Sequence, residues 1–200
     1  LLKFYIDIKT LMNVIKRIFL GIIKEISNLI ENIIIYYPDT TVGISLRNRH
    51  FGKKFKKRGK VLNLMHGFRV TNPELVTVGD RFSCNIFTYI NCGNFYGIYF
   101  GDNVAIGPNV YFRTENHKYN KKNQDIRDQG YSAIAIPYKD DKYSIILEGN
   151  NWIGANTVIL PGTHIEKGAI IGAGSVISGR IKSNSVYLAN KPILAFERNG

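Results

Sequence analysis

The chain has 200 residues, one domain's worth with a short extension, and 44% of them are hydrophobic, enough for a buried core. Its net charge of +12 is uneven, because residues 1–68 hold 13 Lys and Arg against 4 Asp and Glu while the remaining 132 hold 14 against 11. Two cysteines, Cys84 and Cys92, exclude a disulfide-rich secreted scaffold; with no small-residue cleavage site after the hydrophobic N-terminus, the expected compartment is the cytoplasm.

Residues 1–36 are rich in Ile and Leu, but Lys3, Asp7, Lys9, Lys16, Arg17, Lys24, Glu25 and Glu31 interrupt them, so no stretch reaches the length of a membrane span. Leu11, Ile15, Ile18, Ile22, Ile26, Leu29 and Ile33 recur at helical spacing, with Asn13, Arg17, Lys24, Asn28 and Glu31 mainly on the other side. This predicts an amphipathic helix ended by Pro38, its apolar stripe packed on the domain or a neighbouring subunit, or docked on an anionic membrane surface.

Residues 47–60, RNRHFGKKFKKRGK, hold eight basic residues in fourteen. They read as a solvated basic loop, or as a contact for lipid headgroups or a charged glycan. No nucleic-acid motif follows, so a nucleic-acid partner is not expected. Residues 1–60 are therefore taken as a basic amphipathic helical extension.

From about residue 76 the texture changes to a repeat. Leu147 to Lys182 divides into LEGNNW, IGANTV, ILPGTH, IEKGAI, IGAGSV and ISGRIK, each opening on an aliphatic residue: Leu147, Ile153, Ile159, Ile165, Ile171 and Ile177. The same phase holds at Val78, Cys84 and Ile90, and at Phe100, Ile106 and Phe112. A period of six suits a prism in which each hexad makes one flat side, three sides complete a coil, and the aliphatic side chains stack inside. Gly and Asn near the corners supply the left-handed backbone that tight turns need. Residues 117–146 break the period, and such an insertion loops out of a solenoid on one face.

Two segments, GDNVAIGPNVYFRTENH (101–117) and GNNWIGANTVILPGTHIEKGAIIGAGSVISG (149–179), resemble the hexapeptide-repeat acyltransferases, in particular the maltose, galactoside and cell-surface polysaccharide O-acetyltransferases. The resemblance covers about residues 76–192. It implies a mainly β protein, a left-handed parallel β-helix over 61–192 with an inserted loop at 117–146 and a C-terminal tail at 193–200. It further implies a homotrimer with active sites in the clefts between β-helices, acetyl-CoA as co-substrate without a metal, and a glycan or glycan precursor as acceptor.

The resemblance makes His117 the general base, which the chemistry requires, since a sugar hydroxyl attacks a thioester only as a base takes its proton. Asn116 shares its motif. Asn85, after VGDRFSCN, matches an acceptor-binding asparagine, although an asparagine at a left-handed corner reads equally well there. The relatives' following aspartate is missing from the longer stretch INCGNFYG, leaving Asn94 or Glu115 to orient His117. Gly154, Ala155, Gly172, Ala173 and Ser178 match positions along the coenzyme A edge, where small side chains admit a pantetheine arm, although prism geometry alone also favours Gly and Ala; Trp152, just before them, reads equally as a cofactor-side aromatic or as a coil-face residue. Arg180 and Lys182 are the candidates for its phosphates. The usual basic residue near the C-terminus is Leu194 here, with Lys191 or Arg198 to compensate. His164 is expected on the solvated surface, and His50 and His66 join no motif.

Rival readings remain. A zinc enzyme on this scaffold needs three converging histidines, and the repeats offer only His117 and His164. An antibiotic-inactivating acetyltransferase differs after the histidine, where NHKYNKKNQDIRDQG looks more like the polysaccharide enzymes. N-acetyl transfer to an amino sugar and a non-catalytic membrane-binding scaffold complete the alternatives.

Overall fold

A computed structural model describes residues 8–189. The tail at 193–200 and the candidate residues Lys191, Leu194 and Arg198 lie outside the described residues, as do Lys3 and Asp7. The first helix, α1, spans Ile8–Tyr36 and stops ahead of Pro38, whose ring has no N–H to donate. A second helix, α2, spans Thr41–Gly52, and the Thr40 hydroxyl caps it by accepting the Gly43 N–H at 3.2 Å. The turn between the helices is so tight that a Cβ on Gly43 would lie 2.0 Å from the Pro38 carbonyl oxygen.

The basic run is not a free loop. Its first half is helical, and Arg47 is fully buried, donating from Nε to the Leu64 carbonyl at 2.7 Å, from a terminal nitrogen to the Tyr37 carbonyl, and pairing with Asp39. Asp39 also accepts the His66 backbone N–H at 2.7 Å and meets its Nδ1 at 2.5 Å, so His66 has a structural partner that sequence spacing does not expose. Phe51 and Phe55 are buried against the end of the core. They draw residues 56–59 alongside the strand Val76–Val78, with Lys56 N–H donating to the Val76 carbonyl and Gly59 N–H to the Val78 carbonyl, both at 2.9 Å. Two apolar anchors thus override the solubility of the lysines around them.

The remaining chain winds as a left-handed parallel β-helix with three parallel sheets as its faces. The first face stacks Leu64, Cys84, Ile106, Ile153, Ile171 and Tyr187 in register. The second stacks Val78, Phe100, Leu147, Ile165 and Ile181, and the third Ile90, Phe112, Ile159 and Ile177. Twelve of these fifteen are the expected six-residue positions, all buried, while Leu64, Ile181 and Tyr187 join the stacks outside that phase; each fully buried aliphatic side chain contributes roughly 1.5–3 kcal/mol. Asn103, Asn109, Asn150, Asn156 and Asn184 turn corners with φ between +51° and +58°, a region asparagine tolerates because its short amide bonds locally.

The insertion is shorter than the break in periodicity implies. A strand at Asp141–Gly149 rejoins the second face, pairing at Tyr143 with Gly97, so the excursion ends before residue 146. A hairpin of Ile136–Tyr138 against Tyr143–Asp141 folds back over that face. It covers His164, which is mostly buried beside Tyr138 with Nε2 2.8 Å from a Glu148 carboxylate oxygen, rather than solvated. Period six places His164 outward, and only the returning hairpin buries it.

Replacing Arg47 by Ala leaves Asp39 and two carbonyls without their charged donor, and removing one partner of a buried pair costs roughly 3–5 kcal/mol. Urea unfolding of Arg47→Ala should show a lower midpoint with a similar slope; an unchanged midpoint would remove Arg47 from this role.

Candidate active site

His117 sits where the chain leaves the prism. Phe112 is the last interior residue of its coil, after which the strand Glu115–His117 departs and pairs antiparallel with Tyr131–Ala133. In this register His117 lies opposite Tyr131 and Asn116 opposite Ser132, and the His117 and Tyr131 rings pack with centroids 4.4 Å apart. The DQG element closes the loop. The buried Gln129 accepts the Lys121 N–H at 3.0 Å and donates to the carbonyls of Lys121 and Gln124, while Gly130, at φ +75°, turns the chain into Tyr131.

His117 Nδ1 is buried and has no hydrogen-bond partner among the described residues. Neither candidate for orienting it does so. Glu115 turns toward Gly93 and accepts the Asn94 N–H at 3.2 Å, and the Asn94 side chain takes a hydrogen bond from Asn72 at 3.2 Å. An unpaired buried imidazole nitrogen is costly, typically about 1–3 kcal/mol, so His117 is not placed there by its own hydrogen bonding. Asn116 is exposed, with only its backbone in the hairpin.

The structure gathers six other candidates elsewhere. Asn85, Trp152, Gly154, Ala155, Gly172 and Ala173 line one groove of about 620 Å³ on the first face. Alternation along the strand accounts for the placement, since Ile153 points into the prism and Trp152 therefore points out, remaining 57% exposed. Gly154 is required by the coil itself, because a Cβ there would lie 2.4 Å from the Ala173 backbone nitrogen. Ala173 is exposed and leaves the groove floor open. Asn85 is not a left-handed corner: Phe87, two residues on, has φ +57° instead, and Asn85 Oδ1 accepts the Ile86 N–H at 2.7 Å. Its amide NH₂ has no partner among the described residues. Leu188 and Val186 also line it, outward positions of the last coil that period six marks only as not interior.

Ser178, Arg180 and Lys182 are exposed and do not line the groove, and Arg180 Nε donates to Glu166 at 2.6 Å. His117 and Asn116 do not line it either. They follow a third-face strand at the corner toward the second face, whereas the groove lies on the first. Within one chain, the imidazole and the groove therefore stand apart. Sequence reasoning misses Tyr131, because its register against His117 depends on loop closure, which no periodicity encodes. Among the described residues no three His, Cys, Asp or Glu side chains converge as metal ligands would.

A profile of the family described as bacterial transferase hexapeptide (six repeats) matches residues 144–179. A galactoside O-acetyltransferase of Lactococcus lactis is 36% identical over 89 residues, which are 44% of this chain and 38% of that protein. The match thus spans about two-fifths of the relative's length. A maltose O-acetyltransferase from Clostridium difficile 630 superimposes with a TM-score of 0.60 at 26% identity, covering 76% of this chain and 75% of its own. A galactoside acetyltransferase in complex with coenzyme A shares the fold at a TM-score of 0.62, 24% identity, and coverage of 78% and 71%.

The two thiols are poorly placed to act as acyl-carrying nucleophiles. Both are buried; burial pushes the Cys92 thiol up to about 12 and the Cys84 thiol well above its ordinary value, so neither forms thiolate near neutrality. Native protein at pH 8 should resist iodoacetamide at both cysteines and react at both after unfolding. Mass spectrometry showing rapid native alkylation of either would refute this burial.

Proposed function

From the premise that this chain is a hexapeptide-repeat β-helix of the acyltransferase type, in motif and in fold, we propose that it moves acetyl from acetyl-CoA to a hydroxyl of a surface glycan or its precursor. His117 is the general base. The observation that carries this reading is the buried, unpartnered Nδ1 of His117 at the mouth of the insertion. A histidine left in that state serves chemistry better than stability.

The acceptor hydroxyl loses its proton to Nε2 of His117 as its oxygen forms a bond to the thioester carbonyl carbon. The carbonyl electrons move onto oxygen, and the Asn85 amide, whose NH₂ is otherwise unengaged, is a donor suited to the acceptor or to this oxyanion. Collapse breaks the carbon–sulfur bond, and the proton held by His117 passes to the departing sulfur, giving the acetyl ester and free coenzyme A. Tyr131, stacked on the imidazole, holds the ring plane during both transfers.

The pantetheine arm is assigned to the groove over Gly154, Ala155, Gly172 and Ala173, with Trp152 at its rim. The cofactor's phosphates fall to the exposed Arg180 and Lys182, Arg180 being shared with Glu166, and Ser178 contributes a hydroxyl nearby. Because the groove and His117 lie at different places on one chain, a complete site needs a neighbouring copy, which is the physical basis for a homotrimer. Such an assembly would also bring a hydrogen-bond acceptor to Nδ1–H, leaving Nε2 for the sugar hydroxyl. The place of action is the cytoplasm, where acetyl-CoA is made, and Asn116 shapes the acceptor side of the cleft.

Thiol release from acetyl-CoA with galactoside or maltose acceptors tests this reading. His117→Ala should lower turnover roughly 10²–10⁴-fold while coenzyme A affinity and melting temperature hold. Ala173→Leu, an exposed position that fills the groove, should instead weaken coenzyme A binding without changing the fold. If both variants transfer acetyl at the parent's rate, the mechanism is wrong.

A further inference from the structure

At its C-terminal end helix α1 turns its polar side toward the body, while residues 10–30 are exposed on every side. Near its C-terminal end Asn28, Glu31, Asn32 and Ile35 line the cleft against the β-helix, and Glu31 is held by Lys54 at 2.6 Å and His50 at 2.9 Å. Among the described apolar side chains of α1, only Ile35 is buried. Leu11, Ile15, Ile18, Ile22, Ile26 and Leu29, the stripe expected to pack, are instead 49–61% exposed. At 100° per residue the exposed apolar positions sweep an arc of roughly 200°, centred opposite the body-facing side. A helix standing in water with that face bare gains nothing from it, since isolated helices depend on packing of the apolar side.

Two occupants fit an apolar helix face, a second α1 and a lipid surface. A seam of two positions in seven exists here, through Met12, Ile15, Phe19, Ile22, Ile26 and Leu29. The flanking positions, where paired helices carry charges, include Lys16 and Glu25 but also Leu11, Ile18, Ile23 and Ile30, and a narrow seam would leave those four wet. Charge decides between the two. Lys16, Arg17 and Lys24 on the helix, and Lys53, Lys57, Arg58 and Lys60 beyond α2, are exposed and in no ion pair among the described residues. Lys16 stands at the edge of the apolar face and Arg17 and Lys24 on its far side; anionic headgroups attract this net positive region, whereas a second copy would bring the same charge against it. No helix among the described residues is long and apolar enough to cross a membrane.

We infer that α1 is an in-plane anchor that lays its apolar face into the headgroup boundary of an anionic bilayer, with Lys16 at the edge of that face reaching the phosphates. The acetyl-transfer reading is not required for this, and acetyl-CoA turnover plays no part in its test.

Co-sedimentation of the full chain with phosphatidylcholine vesicles, with and without phosphatidylglycerol, is the experiment. Binding should require phosphatidylglycerol and fall in high salt. The double variant Ile22→Glu with Ile26→Glu should bind roughly a hundredfold more weakly, with the same circular dichroism and elution volume. Equal binding by that variant, or equal binding to neutral vesicles, would overturn the inference. So would a parent chain that ignores vesicles and forms assemblies which the double variant disperses, since the occupant would then be a second copy.

Discussion

Along the β-helix, each interior side chain rests on the one eighteen residues earlier wherever the coil is regular, as Ile171 does on Ile153 and Ile177 on Ile159. The stacking is dry and continuous on three faces, and it fixes which neighbour on every strand must point out. Trp152 is outward because Ile153 is inward, and Ala173 lies on the groove floor because Gly154 lets the next coil approach within a Cβ's reach. Displacing the register by one residue would turn every such pair over. The outer surface, groove included, is a consequence of the inner ladder.

His117 obeys a different constraint. Its strand has left the ladder, and its place is set by the antiparallel pairing with Tyr131 and by Gln129 closing the loop between them. The groove is thus rigid and continuous with the core, whereas the imidazole rides on an insertion. Under the proposed reading the two halves come from different copies, and the rigid half presents the donor while the insertion admits the acceptor. The unfilled Nδ1 and the unengaged Asn85 amide are the polar groups each half leaves open.

Periodicity makes the ladder legible, because an aliphatic residue at every sixth position fits neither a helical stripe nor a two-faced strand, and the residues it names are the ones buried. The motif likewise points to the six groove residues that share one surface. What stays hidden has physical causes. The basic run conceals a helix because Arg47 is satisfied by the Leu64 carbonyl and by the Tyr37 carbonyl and Asp39 of the turn between the helices, two segments that no local pattern joins to it. Period six misplaces His164 because a hairpin from the insertion covers it, and Asn94 and Glu115 satisfy each other instead of His117. The apolar stripe of α1 is visible in the sequence as a stripe, but its direction depends on how Glu31 and Ile35 seat the helix.

The central claim is a site shared between copies, with His117 from one and the groove from another, and mixed assemblies test it most directly. Chains carrying His117→Ala and chains carrying Ala173→Leu, co-expressed with different tags and purified as hetero-oligomers, should recover about a third of the parent's acetyl-transfer rate, because each mixed trimer holds one complete cleft in three. Hetero-oligomers no more active than either variant alone would contradict a shared site.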